Sequence, residues 1–119
     1  MALTKTYVSS VTPGTSNAAA TSTPGTVVPI ATAYAAHALI SIANGASAPT
    51  ASCVGTVIGS ADGTNFYTIG FLSGGIVAST TTTTIIEIPS SLQSVQVNFT
   101  GNLTNAVTVG AQIATITAL

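Results

Sequence analysis

Residues 52–71, SCVGTVIGSADGTNFYTIGF, read as strand, tight turn and strand, and no other stretch limits the fold as strongly. Val54, Thr56 and Ile58 recur at period two before the turn. Tyr67, Ile69 and Phe71 recur at the same period after it, alternating with Phe66, Thr68 and Gly70. Side chains two apart share a face of a strand, so Val54, Ile58, Tyr67, Ile69 and Phe71 are expected in the core. The turn itself is explained by Asp62, Gly63 and Asn65, since Gly accepts positive φ freely and Asp and Asn tolerate it better than most residues.

The remaining chain repeats this pattern with short runs and frequent turn signals. Ile40 and Ile42 share a face with Ala36 and Ala38, opposite His37, Leu39 and Ser41. Asn44-Gly45 then marks a turn. Val95, Val97 and Phe99 alternate with Gln96 and Asn98, and Val107 and Val109 open a final apolar strand after Gly101-Asn102. Val27–Ala31 contains Pro29, which confines it to an edge or a bulge because proline cannot donate to a ladder. No stretch combines helical periodicity with caps. Roughly seven to nine short strands at this spacing predict an all-β, antiparallel β-sandwich, with jelly-roll and immunoglobulin-like strand orders both open.

The first 25 residues carry a short strand pattern around Tyr7 and Val8, followed by TPGTSNAAATSTPGT with two Pro-Gly pairs. They read as an extended N-terminal arm or edge strand, leaving residues 26–119 as the sandwich. As an arm they would reach a neighbouring subunit, which makes Tyr7 and Val8 candidate assembly contacts. Thr80–Thr84 is a β-branched run suited to an exposed strand edge. Thr82 at its centre is a further candidate contact.

Composition narrows the partners. Charged residues are 3% of the chain, against about 25% in ordinary domains, while hydrophobic residues are 46% and the mean hydropathy is +0.65. Disorder is therefore not expected, and the surface must be built from Thr, Ser, Asn, Gln, Gly and Ala. Lys5 is the only Lys or Arg, which excludes nucleic acid and anionic membrane surfaces as partners. Weak long-range repulsion between copies suits a protein packed in an assembly. MALTKTYVSSVTPG has no apolar core before Pro13, so no secretory signal is expected. The single Cys53 admits no intrachain disulfide and fits synthesis in a reducing cytosol.

Chemistry is sparse. Asp62 and Glu87 are the only carboxylates, and Asp62 is explained by its turn. His37 sits in an alanine-rich strand, and Cys53 beside Val54 reads as a small buried hydrophobe. Neither a metal set nor a nucleophile–base pair is expected, so no cofactor and no catalytic residue is assigned. Asn98-Phe99-Thr100 and Asn102-Leu103-Thr104 match the glycosylation pattern formally, as a threonine-rich composition will produce by chance.

Ser60-Ala61-Asp62-Gly63-Thr64-Asn65-Phe66-Tyr67-Thr68-Ile69-Gly70 resembles the hairpin of many small β-sandwich proteins in tailed-bacteriophage particles. Ile86-Glu87-Ile88-Pro89 and Val95–Asn102 are similar to the strand-to-strand passage of the same domains. The resemblance implies a virion structural protein of the capsid decoration or cement type, made in the host cytoplasm, contacting the major capsid protein and self-associating, often as a trimer. Similar hairpins occur in carbohydrate-binding repeats, usually with Trp at the aromatic position, and this chain has no Trp. A sugar- or host-surface-binding module and an extracellular filament subunit are the alternative readings. No constellation favours an enzyme.

Overall fold

Nine strands account for the architecture of the computed structural model, which describes residues 3–118. They are β1 (Leu3–Asn17), β2 (Thr23–Pro24), β3 (Val28–Pro29), β4 (Ala35–Asn44), β5 (Val54–Ser60), β6 (Tyr67–Ser73), β7 (Thr81–Ile88), β8 (Ser94–Thr100) and β9 (Val107–Ala118). One sheet has the order β1-β9-β4-β7, and the other β2-β8-β5-β6 with β3 also paired to β8. The described residues form no helix, and every pairing is antiparallel. The β-sandwich is as expected, and the strand order resolves the open question in favour of a jelly roll. Each sheet takes alternate members of two interlocked Greek keys, with β2 and β3 as two pieces of one strand.

The core lies between the sheets. Ala36, Ala38, Ile40 and Ile42 of β4 point inward, and Val95, Val97 and Phe99 of β8 meet them from the opposite sheet. Val107 and Val109 are buried with them. Phe99 is the largest fully buried side chain, at 0% exposure.

Two corrections concern the central hairpin. Val54, Thr56 and Ile58 face outward, whereas Gly55, Val57 and Gly59 face the core. A Cβ on Gly55 would stand 2.6 Å from Cε1 of Phe99, and one on Gly59 would stand 2.5 Å from Cδ1 of Leu92. The inner face of β5 must be bare on either side of Val57 to admit these side chains. The larger residues are accordingly displaced to the outside.

The second correction is in β6, where a register shift leaves Ile69 unpaired between Gly70, opposite Val57, and Thr68, opposite Ile58. The bulge breaks period two. Ile69 packs against the core, while Tyr67 is 73% and Phe71 67% exposed.

The stretch read as an arm or edge strand is placed along the chain's own β9. Pairing runs from Leu3 opposite Ala118 to Asn17 opposite Val107, interrupted by shifts between Ser9 and Val11 and between Val11 and Thr15. β1 is therefore an edge strand of the sandwich. Met1 and Ala2 of the predicted arm, and Leu119 of the predicted sandwich, lie outside the described residues. The lengths of β1 and β9, 15 and 12 residues, draw the molecule out to 49 × 29 × 17 Å.

Candidate functional site

The residues with chemistry fall into two groups, one consumed by structure and one displayed. Asp62 belongs to the first. Its Oδ1 accepts from the Thr64 and Asn65 backbone N–H groups and from Ser60 Oγ, and its Oδ2 accepts from Asn65 Nδ2. Gly63 follows at φ 81°. The backbone N–H of Asn65 and then that of Thr64 hold the carboxyl well below the usual carboxylate range. Asp62, Gly63 and Asn65 are thus one self-contained turn, whose aspartate is engaged in holding its own loop.

Cys53 is fully buried, and desolvation pushes its thiol up to about 11. It is a protonated core residue at neutral pH. Asn102 is also fully buried, donating from Nδ2 to the Asn17 and Asn105 carbonyls and accepting from Asn17 Nδ2. Neither hydrogen of its amide is available to an incoming sugar. Asn98 Oδ1 accepts from the Gly25 N–H.

The displayed group lies on the outer face of the β1-β9-β4-β7 sheet. Tyr7 stands opposite Ala114, Ala114 opposite His37, and His37 opposite Glu87, forming one rung across all four strands. Lys5, Tyr7 and His37 line one shallow depression of about 190 Å³ there. His37 and Glu87 line a second of about 370 Å³ with Tyr34 and Pro89. Three of the chain's four Lys, Asp, Glu and His residues are therefore gathered on this face, Asp62 being the fourth. Sequence reading missed this because the grouping depends on register between strands distant in sequence. No group of three or more His, Cys, Asp or Glu residues comes together among the described residues.

Further along the face, Pro13, Leu39, Ser41, Thr83, Ile85 and Gln112 line an open, mainly apolar trough of about 430 Å³. Of the candidate assembly contacts, Tyr7 is 61% and Val8 42% exposed, whereas Thr82 is half-buried and turned toward the sandwich interior with Thr84 and Ile86. The outer side of β7 is presented by Thr81, Thr83, Ile85 and Glu87.

The strand edges complete the description. β1 is bulged twice and carries Pro13, Gly14 at φ 90° and Lys5. β2 and β3 are two residues each and include Pro24 and Pro29. β6 is bulged at Ile69. β7 runs eight residues in unbroken register with β4, without proline, lysine or bulge. Among the described residues no strand pairs with its other side.

No family model matches the sequence, and no curated protein sequence matches it. Solved structures do. The chain is similar to the VP2 subviral particle of infectious bursal disease virus, with a TM-score of 0.62 and 9% identity over 97% of this chain and 32% of that one. Dimeric latent PorU from Porphyromonas gingivalis is matched at 0.60 and 10% identity, over 100% of this chain and 13% of that one. A family 16 carbohydrate-binding module is matched at 0.52 and 14% identity, over 88% of this chain and 82% of the module. The chain thus spans about a third of the viral chains it resembles. At these identities the shared property is the fold: a jelly-roll sandwich that occurs in virus particles and in a sugar-binding module.

Proposed function

We propose that this chain is a non-enzymatic structural protein of a virus particle, of the decoration or cement type, seated on a lattice of major capsid subunits. The observation that carries this reading is the near-neutral surface of the sandwich. One sheet displays Tyr7, Leu39 and Ile85 on its outer face, and Lys5, Asp62 and Glu87 are all the formal charges in the chain. Such a surface binds by burying apolar and threonine-rich area, at about 25 cal/mol per Å², and has few ion pairs to lose. The jelly-roll likeness to virus-particle chains supports the same reading.

The test is co-sedimentation with phage capsids stripped of their decoration protein, across a range of salt. Binding that is nearly constant from low to moderate salt is expected, because screening acts on charges. Absence from the pellet, or a steep loss of binding over that range, would overturn the reading.

A second reading has one observation in its favour. The carbohydrate-binding module is matched over most of its own length, and Tyr67 and Phe71 are exposed. Glycan-array binding that disappears in Tyr67→Ala or Phe71→Ala would select this reading over the first.

A further inference from the structure

Strand edges attract other strands because their N–H and C=O groups are unpaired, and folded proteins blunt them with prolines, bulges, lysines or brevity. Three of the four edges of this sandwich are blunted in those ways: β1 by two register shifts, Pro13 and Lys5, β2–β3 by length and proline, and β6 by its bulge. β7 is not. It is eight residues long, unbroken in register and rich in β-branched residues, and its only charge is Glu87 near one end.

The register identifies the free groups. Asn44 N–H donates to the Thr80 carbonyl, and the β4–β7 ladder continues the same pairing from Ala43 opposite Thr81 to Ala36 opposite Ile88. In an antiparallel ladder the hydrogen-bonded pairs alternate, so the backbones of Thr82, Thr84, Ile86 and Ile88 turn toward β4. Those of Thr81, Thr83, Ile85 and Glu87 turn to the open side.

We propose that β7 pairs antiparallel with β7 of a second copy of this chain across a two-fold axis, joining two four-stranded sheets into one. Centred on Thr84, the pairing sets Thr81 opposite Glu87 of the partner subunit and Thr83 opposite Ile85 of the partner subunit. All four free residues then meet free residues, forming about eight hydrogen bonds. A slip of two residues in either direction loses one facing pair. Charge selects the direction: a parallel arrangement would set the two Glu87 carboxylates side by side, whereas this one separates them by about 20 Å along the strand. Ile85, 66% exposed in the single chain, becomes a diagonal neighbour of the partner's Ile85 on the outer face. The pairing closes on itself, so it yields a dimer and not a fibre. It concerns the isolated chain and does not depend on a virus particle.

The test is sedimentation of the purified chain at tens of micromolar together with amide exchange by NMR. The wild-type chain is expected to sediment as a dimer. The amides of Thr81, Thr83, Ile85 and Glu87 should be protected in the dimer and lose that protection on dilution, while those of Thr82, Thr84 and Ile86 stay protected throughout. Thr83→Lys should weaken association about tenfold or more with an unchanged far-ultraviolet spectrum, because it places a lysine on the shared edge. A wild-type chain that is monomeric, or trimeric, at these concentrations would overturn the proposal. So would a dimer unaffected by Thr83→Lys, or one whose four free-side amides exchange as fast as in the diluted chain. Should Thr83→Lys fail to fold, the wild-type exchange pattern decides alone.

Discussion

β1 and β7 are the two edges of one sheet, and they are held in different ways. β1 is tied to the opposite sheet as well as to its own. Ser10 Oγ donates to the Thr26 carbonyl and accepts from the Val97 N–H of β8, and Thr26 N–H donates to the Ser10 carbonyl. At the far end, with no exposure to solvent, Asn17 Nδ2 donates to Asn102 Oδ1 and Asn102 Nδ2 to the Asn17 carbonyl, and Thr23 Oγ1 donates to Asn17 Oδ1. β7 is tied by its ladder to β4 and meets the second sheet through side-chain packing, with Ile86 lying over Gly70. One side of the jelly roll is sealed by buried polar groups, and the other leaves a strand available. The β1 edge is anchored across the core by hydrogen bonds, whereas β7, whose hydrogen bonds run through its ladder, is joined to the second sheet by packing and keeps half its backbone groups free.

The largest expected effect that would break this contrast is at the Asn pair. Asn102→Ala removes the buried side-chain acceptor of Asn17 Nδ2 and the amide hydrogens given to the Asn17 and Asn105 carbonyls. Stranding buried polar groups costs about 1–3 kcal/mol each, so a loss of about 3 kcal/mol is expected from urea denaturation. A loss under about 1 kcal/mol would show that β1, like β7, is held by its ladder and packing, without help from buried polar groups.

Next comes the seat of the β1 bulge. A Cβ on Gly110 would lie 2.7 Å from Cα of Pro13, a backbone atom that cannot swing aside. Gly110→Ala should cost about 1–3 kcal/mol in the same measurement, as overpacking does. Thr83→Val on β7 changes an exposed side chain and should stay within about 0.5 kcal/mol for the single chain, sharpening the difference between the two edges.

The last expected effect is at the hairpin turn, away from both edges, and is read from its pH dependence. Asp62 is held below its unfolded value, so it favours the folded state at neutral pH. That contribution disappears as pH falls from the ordinary carboxylate range, about 4, through the lowered folded value. The stability difference between wild type and Asp62→Ala should therefore be present at pH 6 and shrink steadily below about pH 4. A difference that is independent of pH would assign the turn to Gly63 instead of the carboxylate.

Particular residues show how far local pattern carries. The alternation of Ala36, Ala38, Ile40 and Ile42 and of Val95, Val97 and Phe99 is read directly, since one side of each run is apolar and the other polar. β5 misleads because both its sides are apolar. Val54 and Ile58 outweigh Gly55 and Gly59 in any count of hydrophobicity, yet the glycines face inward beside Val57 because Phe99 and Leu92 need the space. No property of residues 54–60 announces a phenylalanine more than 35 positions away. The bulge at Ile69 reverses Phe71 for a similar reason, as packing over Gly59 takes the isoleucine out of register.

Composition and period two were enough to determine an all-β sandwich, a surface nearly without charge and the Asp62-Gly63 turn. These depend on each residue and its immediate neighbours. The jelly-roll order, the sealing of β1 by Ser10, Asn17 and Asn102, the gathering of Lys5, His37 and Glu87 and the open side of β7 were decided only in three dimensions. Each arises from register between strands far apart in the chain, and register is set by which side chains fit across the core, not by the pattern of any single strand.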